Sequence, residues 1–122
     1  NSFIDSALKK KTLTIFGKGL QIRDYFFIDD LTEALLLAGA NKRANSQIYN
    51  VGYGKPITFN KMVKIIALRA NVNIEHSPWP SSYRQFETGD YVTDIRKIRR
   101  HLHWKPKISP EQGVELCFES AS

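Results

Sequence analysis

With 122 residues and a net charge of +6, the chain suits a single domain that buries roughly 65% of its unfolded surface without staples. One cysteine, Cys117, excludes an internal disulfide framework and suits a reducing, cytoplasmic setting, and the longest apolar run, residues 34–40, is far short of the roughly 20 residues of a membrane span. The positive balance leaves three anionic partners open (nucleic acid, a phosphorylated metabolite, an acidic neighbouring domain) beside a plain role in solubility.

In chain order, residues 2–10 read as an amphipathic helix with Phe3, Ile4, Ala7 and Leu8 on one side. No signal-peptide pattern precedes it, and the chain is expected to begin in mid-protein. "LTIF" at 13–16 is a short strand closed by Gly17, and a "GKG" turn leads to a second strand over 22–28. Asp29 and Asp30 are placed to cap a helix running through "LTEALLLAGANK". "QIYNV" at 47–51 reads as a strand and "GYGKP" as a turn. Thr58 then caps a helix whose Met62, Val63, Ile66 and Ala67 keep the 3.6 period. "NIEH" at 73–76 is another short strand, followed by a Pro- and Ser-rich loop at 77–89 carrying Trp, Tyr and Phe. Asp94 caps a helix that buries Ile95, Ile98 and Leu102. Ser109, Pro110 and Gln112 form a capping box for a last helix with Val114, Leu116, Cys117 and Phe118. The expected fold class is α/β: a small mixed domain of short strands and about five helices.

The glycine pairs invite a dinucleotide-binding reading, which needs a third glycine three residues on. Ile57 stands there after Gly52 and Gly54, and Ile22 after Gly17 and Gly19, so both pairs read as turns. In the basic stretch 94–107, Arg96, Lys97, Arg99, Arg100 and His101 fall where the apolar positions leave them facing water, as on a solvated helix face. Nucleic-acid binding would want aromatic platforms or a reader motif there, and neither is evident. His76, His101 and His103 show no metal-ligand spacing, and Cys117 sits among apolar residues where a thiol is inert. Arg23 has two readings. A guanidinium beside a Gly-rich turn and a tyrosine can grip a diphosphate through paired hydrogen bonds, or it can pair with Asp24, Asp29 or Asp30.

The order of three blocks carries more information than any one of them. "LTIFGKGLQIRDYFFIDD", "IYNVGYGKPITF" and "GDYVTDIRKIRRHLHWKPKISPEQGV" together resemble the C-terminal portion of the NAD-dependent epimerase/dehydratase family. These are extended short-chain dehydrogenases/reductases acting on nucleotide sugars, such as UDP-galactose 4-epimerase, and the similarity covers nearly the whole chain. The resemblance implies a two-domain parent, a homodimer when full length. Its N-terminal Rossmann domain holds NAD or NADP and a Tyr-x-x-x-Lys pair, and that domain would be the partner of this one. No tyrosine here has a lysine four positions later, so the resemblance assigns no catalytic or cofactor-binding residue to 1–122.

By matching position, the resemblance makes this the substrate-binding domain. Thr14 and Phe16 offer backbone groups to the base, and Arg23 holds the diphosphate. Tyr25 lies beside the nucleoside, Asp90 near the ribose hydroxyls, and Gln21 helps order the loop. Glu87 departs from the pattern, since relatives carry a second phosphate-binding arginine there; either Arg84 substitutes for it or the substrate grip differs. The competing expectation is a freestanding basic module for nucleic acid or an anionic protein.

Overall fold

The computed structural model describes residues 2–82 and 89–121. Helix α1 spans Ser2–Leu8, strand β1 Leu13–Phe16, β2 Ile22–Arg23 and helix α2 Ile28–Ala40. A 3-10 turn, Lys42–Ala44, precedes β3 at Ile57–Thr58 and α3 at Phe59–Ala70. Strand β4 spans Ile74–Ser77, α4 Arg96–Leu102 and α5 Pro110–Ser120. β1 pairs with β4 in parallel, Leu13 opposite Ile74, while β2 and β3 form an antiparallel pair with Ile22 opposite Thr58.

Two cores form because the apolar stripes face two ways. Leu13 and Ile15 of β1 alternate inward and meet Ala7 of α1, Val63, Ile66, Ala67 and Ala70 of α3, and Val114 and Phe118 of α5. Ala34 of α2, Ile98 and Leu102 of α4, and Trp104 make the second core. Of the residues expected inside, Leu8 and Leu116 reach the surface.

Several helix ends stand as the sequence predicts. Thr58 accepts from Lys61 N at 3.2 Å, and Ser109 and Gln112 exchange both bonds of the capping box. Other elements differ. The second strand stops at Arg23; Tyr25, Phe26 and Phe27 instead wall an apolar cavity of about 250 Å³ with α1, α3 and α5. No ladder includes residues 47–51; Tyr49 and Val51 pack on the second core instead. Asp29 and Asp30 lie inside the first turn of α2, whose cap position is Phe27. Asp30 is 2% exposed, and its carboxylate accepts the N–H groups of Lys107 and Ile108 at 2.9 and 3.1 Å, tying α2 to the segment before α5. Asp94 accepts from Arg96 N at 3.0 Å, one residue before the cap position Ile95.

Candidate functional site

β1 sets the first wall by alternation. Leu13 and Gly17 donate their N–H groups toward the β4 side, to Asn73 O and Ser77 O. A strand turns successive peptide groups to opposite edges, so those of Thr14 and Phe16 point away from β4. Their side chains face away from the core as well, and the Thr14 hydroxyl donates to Glu75 Oε1 at 2.6 Å.

The "GKG" turn is fastened to the start of α3. Asn60 N donates to Gly19 O at 2.9 Å, Asn60 Nδ2 to Lys18 O at 2.6 Å, and Phe59 N to Gln21 O at 2.9 Å. Gly19 has φ +61°, and a Cβ there would come within 2.6 Å of Asn60 Oδ1, so a side chain would break the joint. This fixes where β2 begins and hence where Arg23 projects.

Arg23 Nη1 donates to the carbonyls of Ile22 and Gly89, which fixes one edge of the guanidinium. On its other side β2 meets residues 90–91: Asp90 Oδ1 accepts from Ile22 N at 2.8 Å, and Tyr91 N donates to Ile22 O at 3.1 Å. Asp24 is not the counter-ion that an ion-pair reading expects. Its carboxylate accepts three backbone N–H groups, from Tyr53 at 2.9 Å and from Gly54 and Thr93 at 3.0 Å. Burial pushes the Tyr25 phenol above its ordinary value, against the opposing pull of the Arg23 charge.

Together Thr14, Phe16, Gln21, Arg23 and Tyr25 line one groove of about 410 Å³ with Asp24, Phe59 and Trp79. Five sequence-predicted positions thus converge, and Asp90 stands beside the groove against β2. Arg84 and Glu87 lie outside the described residues. Sequence reasoning missed the backbone clamp at Asp24, the joint at Asn60 and the ring of Trp79. Only Trp79 left a signal, as an aromatic residue in a Pro- and Ser-rich loop.

A Cβ on Gly52 would come within 2.5 Å of Thr93 Oγ1 and 2.6 Å of Asp24 Oδ2, so this glycine makes room for the chain's own side chains. Among the described residues no three His, Cys, Asp or Glu side chains gather as a metal site, and no helix is long and apolar enough to cross a membrane.

Fold and groove define a small α/β domain with an arginine set in an aromatic-lined cleft. The family model of GDP-mannose 4,6 dehydratase matches residues 2–117. Among curated proteins, the chain is 30% identical over 121 residues to UDP-glucuronic acid decarboxylase 2 of Arabidopsis thaliana, covering 98% of this chain and 26% of the relative. It is 32% identical over 117 residues to UDP-glucuronate 4-epimerase of Thermodesulfobacterium geofontis, covering 93% and 34%. Among solved structures, UDP-glucose 4-epimerase of Thermotoga maritima, determined with UDP-glucose, superposes with a TM-score of 0.82 at 28% identity, over 97% of this chain and 37% of that one. The chain belongs to this family of NAD-dependent nucleotide-sugar epimerases and dehydratases. It spans about a quarter to a third of the length of the curated relatives it matches.

Proposed function

We propose that residues 1–122 are the nucleotide-sugar-binding part of an NAD(P)-dependent epimerase or dehydratase. One observation carries this reading: Gln21, Arg23, Tyr25 and the β1 residues Thr14 and Phe16 line the same groove. At about 410 Å³ it falls in the range of small-ligand sites. Arg23, oriented by two carbonyls, grips the diphosphate; the outward peptide groups of Thr14 and Phe16 meet the edge of the base. Tyr25 flanks the nucleoside, Asp90 accepts from ribose hydroxyls, and Arg84 supplements the phosphate grip in place of the family's second arginine.

A partner Rossmann domain of the same protein supplies NAD(P) and performs hydride and proton transfer on the sugar, and the full-length enzyme is a homodimer. Exposed apolar side chains support a covering domain. Ile28 and Leu35 share a face of α2 at 61% and 63% exposure, and Ile48 is 84% exposed. Epimerisation is the preferred reaction, the one for which the relatives UDP-glucuronate 4-epimerase and UDP-glucose 4-epimerase are named. The test is turnover of a panel of UDP- and dTDP-sugars by the full-length protein. Interconversion of one of them, with KM raised by Arg23→Ala, supports the reading; a protein inert toward the whole panel contradicts it.

A further inference from the structure

The groove described above has a way to read the edge of a base, through the Thr14 and Phe16 peptide groups, and a charge for the diphosphate. A planar base also presents two faces, and a ring stacked on one of them holds it without regard to its identity. Of the aromatic residues lining the groove, two are shared with the apolar cavity. Tyr25 and Phe59 also wall the apolar cavity beneath, and Phe59 packs edge-on against Phe3 at 5.5 Å between centroids. Phe16 lines it from the end of β1.

Trp79 differs. Its indole rests on the backbone at Gly17, where an added Cβ would come within 2.3 Å of Nε1. It tilts at 43° against the Phe16 ring, with centroids 5.9 Å apart. Gly17 therefore has two reasons to lack a side chain, a φ of +68° and the ring lying on it. The indole is half-buried and borders the groove, whereas the other tryptophan, Trp104, is 2% exposed with Nε1 bonded to Asp30 O. Trp79 therefore presents a large ring to the same groove as Phe16, against the Phe16 ring and over Gly17.

We infer that Trp79 is the stacking platform for the nucleobase, making affinity at this site dependent on a base being present. The inference rests on the nucleotide-sugar reading. It is tested on the full-length protein by calorimetric affinity for UDP, with inorganic pyrophosphate measured as a competitor of UDP. Trp79→Ala is expected to weaken UDP roughly 5- to 150-fold. Trp79→Tyr should restore most of that, and pyrophosphate should be unchanged in both. Arg23→Ala should weaken both ligands. Equal weakening of UDP and pyrophosphate by Trp79→Ala would show a structural role and overturn the inference. No effect of Trp79→Ala, where Arg23→Ala weakens both ligands, would overturn the stacking role and keep the site. A wild-type protein that binds no UDP would remove the nucleotide-sugar reading and this inference with it.

Discussion

Arg23 and Asp24 are adjacent in sequence and of opposite charge, yet their side chains serve different ends. Three backbone N–H groups occupy the Asp24 carboxylate, while Arg23 is oriented by carbonyls. Removing a carboxylate that satisfies several half-buried donors leaves each of them unpaired. Asp24→Ala is therefore expected to cost about 2–4 kcal/mol in chemical unfolding. Amide exchange should quicken most at Tyr53, Gly54 and Thr93, and Asp24→Asn should cost less. Arg23 was legible in the sequence through its charge and its place after a Gly-rich turn. Asp24 was not, because its partners lie 29 to 69 residues away, and nothing local distinguishes a clamp from an ion pair.

At the scale of elements, local chemistry was readable where a motif closes within four residues. The Ser109 capping box is such a case, and Ser109→Ala should cost about 1 kcal/mol in the same unfolding measurement. Strand extents were not readable in this way, since stretches such as residues 22–28 and 47–51, which mix isoleucine, valine and aromatic residues with polar ones, become strands only where a neighbour offers a ladder. After Arg23 the chain turns its aromatics into the cavity instead. At the start of α4, hydrogen bonding from the Arg96 side chain and backbone holds the Asp94 carboxyl down to about 2, from an ordinary 3.8. A carboxyl depressed in the folded state stabilises above its unfolded value, so this contribution is complete above about pH 4 and fades as pH falls toward 2. An NMR titration of Asp94 should show a midpoint near 2, and Arg96→Ala should move it up toward 3.8.

The whole molecule joins two small cores through buried and half-buried carboxylates. Asp30 ties α2 to the start of the last segment, and Asp24 ties β2 to the 53–54 turn and to Thr93. The groove lies where β1, β2 and the α3 start meet, so its geometry depends on both sheets being fastened to one another. The surplus positive charge is a separate matter, since Arg99 and Arg100 are exposed on α4, among the groups a nonspecific polyanion would meet. One measurement separates the two accounts: UDP affinity of the full-length protein, wild type against Arg23→Ala and against an Arg96, Arg99 and Arg100 triple alanine variant. The account predicts a loss of roughly 10- to 100-fold for Arg23→Ala, as for a charge-assisted phosphate contact, and little change for the triple variant. UDP binding that ignores Arg23, vanishes in the triple variant and collapses with added salt would contradict it and favour a basic binding module.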